Sequence, residues 1–426
     1  SGTAVTLACG ATQSGFGRSG SVNWQTTPKT ATFTAANGEG YFINQGSAIT
    51  ANLPAGSAGA IVAFSDYARN FATYNLTISP NGSEKIGGIA SNVSLNVNGQ
   101  AATFVYVDST KGWVNVQNAE DTEAGQTFIA ATGGTVTCSG NFKIHTFTSP
   151  GTFTVCSVGN PAGLNSVDYM VVAGGGGGGG GSDRGGGGGA GGWRASSGTA
   201  SGCYTAGPAP LTSPVSSLAV SAQGYPITVG GGGAGQPSGT PATPGDSGSN
   251  SVFSSITSAG GGGGAKVDTN GGSGGSGGGG GSGGSAIGCG GSGNTPSTTP
   301  AQGTNGGNGI GAPGGYSGGG GGGATAVGQN ASSPKGGDGG AGSTSCISAS
   351  PTAYAGGGGS GGGTGGQPGG AGGTGGGGAG ANPSGTAVAG TTNTGGGGGG
   401  GAPTPSASTG SAAGGSGIVI IRYKFQ

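Results

Sequence analysis

Val167-Asp168-Tyr169-Met170-Val171-Val172-Ala173 runs without a break into eight glycines at 174–181. Far downstream, Gly414-Gly415-Ser416-Gly417 gives way to Ile418-Val419-Ile420-Ile421-Arg422-Tyr423. Each apolar run has the length of a strand and is too short for a membrane helix. Of the 119 glycines in the 426 residues, 22 precede residue 174 and 97 follow. The two runs therefore bracket a glycine-dominated region. We expect them to pair, or to lie in one sheet, which makes 174–416 an insertion between strands.

Three structures suit such a composition. Glycine and proline this abundant without a strict period fit low-complexity disorder. Collagen requires Gly at every third place, and Ser182-Asp183-Arg184 after 174–181 breaks that rule. A bundle of polyproline-II helices has three residues per turn and no internal hydrogen bonds, so its amides must bond laterally to neighbouring rods. Glycine suits it because any Cβ would hold the rods apart. Glycine-rich stretches at 174–181, 185–192, 230–235, 260–264, 271–284, 313–323, 356–370, 371–380 and 395–401 supply candidate rods. Connectors rich in Pro, Ser, Thr and Asn lie at 196–216, 236–250, 294–305, 343–353 and 402–411. β-prone tracts at 167–173, 225–229 and 252–259 each lead into a glycine run, which suggests repeated traversal of one stack.

Ahead of this region the pattern is short β-prone runs between turn residues: 4–9, 31–35, 40–43, 60–63, 74–79, 94–97, 102–107 and 112–116. Asn98-Gly99 reads as a two-residue hairpin turn. After the acidic Glu120-Asp121-Thr122-Glu123 come further runs at 135–138, 142–147 and 152–156. The expected fold is mainly β. An N-terminal β-sandwich or barrel occupies 1–119, and a second small β module occupies 120–173 and is completed by 417–426. The polyproline-II bundle at 174–416 is inserted between strands of that second module. Twelve basic residues balance twelve acidic ones, so nucleic acid and anionic membranes are poor partners. No apolar window reaches the length of a membrane span. Ser1 and the residues after it show no leader pattern, so the sequence reads as a processed product or a fragment.

The bracketing runs with their poly-Gly resemble the glycine-rich domain of bacteriophage tail-fibre and other virion proteins, especially those of marine phages. The front segments Gly40-Tyr41-Phe42-Ile43, Ala102-Thr103-Phe104-Val105-Tyr106-Val107 and Trp113-Val114-Asn115-Val116 resemble a β module of phage fibres. The resemblance implies a virion appendage, a receptor-binding or structural role, and partners among host surface glycans, outer-membrane proteins and other fibre or capsid proteins. It also implies assembly as a homo-oligomer, with a trimer as one form. Receptor-binding tips of T-even-like phages carry stacked glycine rods with host contact through loops at one end. A snow flea antifreeze protein uses a similar stack, so ice binding is an alternative, as is a capsid-decoration or filament protein.

Catalysis has little support. His145 is the single imidazole and sits mid-strand, where it is solvent-facing or simply satisfied. Matches to Gly-x-Ser-x-Gly or phosphate-loop patterns arise by chance in such sequence. Glu120, Asp121 and Glu123 read as a solvated linker rather than a calcium site. Cys9, Cys138, Cys156, Cys203, Cys289 and Cys346 include no CxxC pair, which argues against zinc. Cys138 and Cys156, in neighbouring expected strands, are the candidate disulfide, with buried thiols as the other reading. No cofactor or metal is expected. For receptor contact the candidates are Trp193, Arg194, Tyr204, Tyr316 and Tyr354, whose rings and guanidinium suit sugars, with Asp183, Arg184 and Asp246 behind them. The competing reading is that these rings plug the ends of the stack. The sequons at Asn75 and Asn330 matter only in a eukaryotic secretory setting.

Overall fold

The computed structural model describes residues 22–117, 128–159, 164–180, 184–198, 200–202, 204–208, 211–212, 215–238, 243–283, 286–311, 316–333, 335–363, 366–383, 385–403 and 409–426. The chain divides into two compact units, Ser1–Thr127 with Gly159–Gly163, and Phe128–Val158 with Leu164–Gln426. The second β module and the glycine body, expected as separate domains, share the second unit. The described residues contain no helix and no sheet closed into a barrel.

The first unit is built from β1 (Asn23–Lys29), β2 (Phe33–Thr34), β3 (Glu39–Ile43), β4 (Ile49–Asn52), β5 (Ile61–Asp66), β6 (Leu76–Ser79), β7 (Val93–Leu95), β8 (Ala101–Asp108) and β9 (Gly112–Asn115). They form two sheets, ordered β1-β3-β5-β8-β9 and β2-β4-β6-β7. Period-two alternation sends Tyr41, Ile43, Val62, Phe64 and Phe104 from one sheet, and Ile49, Leu76, Ile78 and Leu95 from the other, into a shared core. From β1 to β6 the chain changes sheet at every strand, so neighbours in a sheet are mostly parallel. That corrects the expected hairpin at Asn98-Gly99. β7 and β8 belong to different sheets, and the turn is a crossover held by Asp66 Oδ2, which accepts the Gly99 N–H at 2.9 Å. Sequence reading missed β1 and β4, while the run at 4–9 lies outside the described residues.

In the second unit, β10 (Ala130–Thr132), β11 (Thr135–Ser139), β12 (Phe142–Phe147), β13 (Gly151–Ser157) and β14 (Ser166–Val172) precede the glycine body. β15 (Trp193–Ala195), β16 (Leu218–Ala219), β17 (Gly224–Thr228), β18 (Ser251–Phe253), β19 (Ile256–Ser258), β20 (Ser343–Ser345) and β21 (Thr352–Tyr354) interrupt it, and β22 (Ile418–Lys424) ends it. As expected, β14 and β22 pair, antiparallel, in the middle of the sheet β11-β12-β22-β14-β15. Both faces of this sheet are covered, which explains the unbroken apolar runs. Val167, Tyr169, Val171, Val419, Ile421 and Tyr423 face the second sheet, β10-β13-β17-β18-β19. Met170, Val172, Ile418 and Ile420 face Trp193, Tyr354 and alanines of the glycine body.

The glycine body is a hexagonal array of rods. Along 185–192, successive amides donate to Gly401, Ala265, Gly319, Gly398, Gly262, Gly322, Gly395 and Ala259, so the recipient rod repeats every three residues. This is the period of a polyproline-II helix. The same rod accepts from 174–180, 276–282 and 356–363, which alternate around it with the rods it donates to, 259–265, 316–323 and 395–402. Those six enclose the central rod, and they bond to one another in ring order. Further rods at 230–236, 243–250, 271–275, 288–293, 303–310, 327–332, 335–342, 367–374, 376–382, 386–391 and 409–417 lie outside the ring. Each lateral bond contributes about 0.5–1.5 kcal/mol net, so the array is held by number. A Cβ on Gly188 would lie 2.1 Å from the Gly176 carbonyl oxygen, and at Gly185, Gly186, Gly187, Gly189 and Gly191 of the same rod it would likewise meet neighbouring backbone.

Candidate functional site at the two ends of the glycine body

The rods run out from the sheets and back again. Rod 174–180 leaves from β14, 185–192 returns to β15, 230–236 leaves from β17 and 243–250 returns to β18. The body therefore has a near end against the sheets and a far end formed by reverse turns. Among the described residues of the far turns are Arg184, Gln236, Lys266–Asn270, Ser282, Ile287, Ile310, Tyr316, Lys335, Gln367 and Asn382.

Four of the five expected receptor-contact residues belong to the near end. Trp193 pairs across from Val172 on β15 and is fully buried, with its ring centroid 6.0 Å from that of Tyr354, itself buried at the end of β21. Both belong to the core that fixes the body to the sheet, so they cannot meet a receptor surface. The plugging alternative describes them. Arg194, opposite Val171, is half-buried beside Tyr169. Tyr204 packs its ring against the Arg422 guanidinium at 5.1 Å, and Phe142 lies 4.8 Å from the same group. Burial, followed by the Asp168 charge, raises the Tyr204 phenol pKa well above its ordinary value.

The centre of that near-end cluster is Asp168, which sequence reasoning did not single out. It is fully buried and accepts from Ser196 Oγ at 2.7 Å, Ser201 N at 2.7 Å, Ser201 Oγ at 2.6 Å and Ala200 N at 3.1 Å. Arg422 stands in register with it on β22 and donates to the Ser201 and Ile347 carbonyls. The signal was present in the sequence: one acid and one base, each inside an otherwise apolar strand. The chemistry is that of an anchor, since the described donors to the carboxylate all come from the chain segment following β15.

Tyr316 alone sits at the far end. The Arg184 guanidinium lies 4.6 Å from its ring centroid, and next to it Ser317 Oγ donates to Gln367 Oε1 at 3.1 Å. Lys335, also at the far end, forms an ion pair with Asp338 at 2.6 Å. Asp246 is exposed on an outer rod. Asp183 lies outside the described residues, as do Glu120, Asp121 and Glu123.

His145 points inward, contrary to the solvent-facing option. Gly133 O is 2.7 Å from its Nδ1 and the Tyr423 hydroxyl 3.1 Å from its Nε2. A carbonyl can only accept, so Nδ1 carries the proton and Nε2 accepts from the phenol. Desolvation by burial lowers the imidazole pKa, while burial pushes that of Tyr423 up to about 12. Cys138 and Cys156 do not form the candidate disulfide: both are exposed free thiols. Their strands lie in different sheets, and with Phe153 and Val155 facing the core, alternation turns Cys156 away from it. Cys289 and Cys346 are also free, and Cys9 and Cys203 lie outside the described residues. Among the described residues no group of His, Cys, Asp and Glu is arranged to hold a metal ion. No helix there is long and apolar enough to cross a membrane. A groove of about 310 Å³ is lined by Gly134, Thr135, Thr146, Phe147, Thr148, Ser149, Pro150 and Gly151, without an acid, base or thiol.

Rods, turns and both bracketing strands fall within one sequence family: the glycine-rich domain profile matches residues 146–424. The chain belongs to the glycine-rich domain family. That match covers nearly all of the second unit and, of the first, only Gly159–Gly163. No curated protein matches this glycine-rich-domain protein.

Proposed function

We propose that this protein is a non-enzymatic bacteriophage fibre or adhesin of the virion surface, which meets a host glycan or outer-membrane protein through the far turns of its glycine body. The observation that carries this reading is the segregation of the body. Side-chain-free rods fill the interior, the sheets seal one end, and side-chain-bearing turns gather at the other. Recognition on loops held by a rigid scaffold is a common arrangement. Tyr316, half-buried and held by the buried Arg184 guanidinium against its ring, is the aromatic candidate among these turns. The near end and the first unit are left for other fibre or capsid proteins and for homo-oligomer contacts.

The test is adsorption of the labelled full chain to candidate host cells. Replacing Tyr316 by Ala together with a Gly-Ser exchange of 266–270 should reduce binding at least about tenfold, the equivalent of 1.4 kcal/mol. Retention of full adsorption by that folded variant sinks the reading.

A structural capsid-decoration or filament role is the second reading, favoured by one observation in the first unit. Trp24 stacks on Phe42 at 4.9 Å and Tyr67 meets Phe42 at 6.4 Å, with Tyr67 61% exposed. Such an aromatic row, partly exposed among the described residues, fits a protein neighbour. Substitution of Trp24 and Tyr67 by Ser should disrupt particle incorporation in this second case and leave it intact in the first.

A further inference from the structure

A hydrogen-bonded lattice of identical rods has no natural edge. Every outer rod still has amides aimed outward, and a glycine strand from a second copy could add there as a strand adds to an open sheet edge. The disposition of asparagines at the rim bears on this hazard. In rod 288–293, Gly288 and Gly291 donate inward to Gly281 and Gly278. The remaining directions of its threefold repeat end on side chains: Cys289 N–H donates to Asn270 Oδ1 at 2.9 Å, Gly290 to Asn308 Oδ1 at 2.9 Å and Gly293 to Asn305 Oδ1 at 2.8 Å. One rod further on, Asn308 N–H donates to Asn330 Oδ1 at 2.8 Å, and elsewhere on the rim Gly369 donates to Asn382 Oδ1 at 2.9 Å.

The most direct case lies beside rod 259–265. Each other member of the inner ring bonds to three outer rods, whereas this one has only 243–250 and 271–275. The position between those two holds no described rod. There Gly260 N–H donates to Asn250 Oδ1 at 2.9 Å, so a side-chain amide oxygen takes the place of the missing rod's carbonyl.

We infer that Asn250, Asn270, Asn305, Asn308, Asn330 and Asn382 terminate the lattice, keeping its rim closed to glycine rods of a second copy of this chain. Each supplies a carbonyl-like acceptor while its own side chain blocks the approach of a further rod. Homo-oligomer contacts are thereby steered away from this part of the rim. The inference is independent of the adhesin reading, because it concerns assembly alone.

The experiment compares full-length wild type with N305A/N308A/N330A by light scattering after size exclusion over a concentration series, with circular dichroism as the fold control. The Ala variant is expected to associate with rising concentration, its weight-average mass climbing toward about twice the wild-type value as two particles join. N305D/N308D/N330D keeps the acceptors. In about 1 M salt, where repulsion between the new carboxylates is screened to roughly 3 Å, it should retain the wild-type distribution. The single variant N250A removes one cap only and should shift the distribution in the same direction; it decides the matter should the triple variant not fold. An unchanged mass distribution in folded N250A, or in the folded Ala triple variant, overturns the proposal. So does association of the Asp variant equal to that of the Ala variant.

Discussion

The first unit and the glycine body solve one problem with opposite means. The sandwich excludes water with side chains: Phe64, Phe104, Leu76 and Trp113 are fully buried between two sheets, and the backbone ladders run around them. The glycine body excludes water with backbone. Its central rod, 185–192, has one side chain heavier than hydrogen, Ala190, and otherwise touches its six neighbours through peptide groups. The entropy of ordering glycine is the largest of any residue, so the body needs a bond for nearly every amide, whereas the sandwich tolerates turns bonded only to solvent. One region is specified by shape and the other by saturation.

That contrast breaks most sharply at Gly188. An alanine there puts its Cβ 2.1 Å from Gly176 O and 2.9 Å from Gly177 O, both backbone atoms with nowhere to move. Overpacking a conventional core costs about 1–3 kcal/mol, occasionally more. Here we expect the upper extreme, loss of the folded body, seen as a vanished unfolding transition and loss of amide protection in 174–416. Phe64→Ala makes the complementary cut in the sandwich and should cost about 3–5 kcal/mol, measured by denaturant unfolding, with protection in the glycine body unchanged. Asp168→Ala tests the anchor between rods and sheet. It leaves Arg422 buried without its in-register carboxylate, and about 3–5 kcal/mol is the expected loss, read from the transition of the second unit.

A smaller effect comes from acid. The His145 pKa is lowered in the fold, so the neutral ring's contribution is complete above the unfolded value of about 6.5 and is lost as pH falls below it. The second unit's melting temperature should decline between pH 7 and pH 5, and that of the first unit, which has no histidine, should not follow on this account. A flat profile in the second unit would refute the buried neutral imidazole. The smallest effect is also the most diagnostic. At Gly231 a methyl group would meet nothing within 4 Å, and the backbone there has no positive φ. Gly231→Ala should therefore stabilise by about 0.4–1 kcal/mol, opposite in sign to Gly188→Ala.

Much of this division is legible in the chain. The glycine runs 174–180, 260–264 and 395–401, and 185–192 with its single Ala190, became the central rod and members of its ring, where few or no directions are free for a side chain. Outer rods were missed for the same reason in reverse. In Val327-Gly328-Gln329-Asn330-Ala331-Ser332 and Thr386-Ala387-Val388-Ala389-Gly390-Thr391, solvent takes many of the side chains and few positions need to be glycine, so neither run was singled out as a rod, and rod 243–250 was read as part of the connector 236–250. Of the candidate contact residues, Trp193, Arg194, Tyr204 and Tyr354 lie at the near end of the body and Tyr316 at the far end. An aromatic closing a glycine run looks alike at either end. The parity of passes distinguishes them: one outward rod and one return place Trp193 back at the sheet. Strands β14 and β22 were plain from their apolar runs, whereas the changes of sheet in the first unit depend on contacts distant in sequence, which no local pattern announces.

The threefold repeat has a consequence for how such a body changes size. A rod displaced along its axis by one turn presents the same peptide groups to the same neighbours, so the array itself is blind to translation in steps of three residues. Alignment must then be imposed by the turns and by the sheet at the base. Triplets of glycine can be gained or lost in step across adjoining passes, lengthening or shortening the shaft by about 9 Å at a time, while each surviving amide keeps a partner of the same kind.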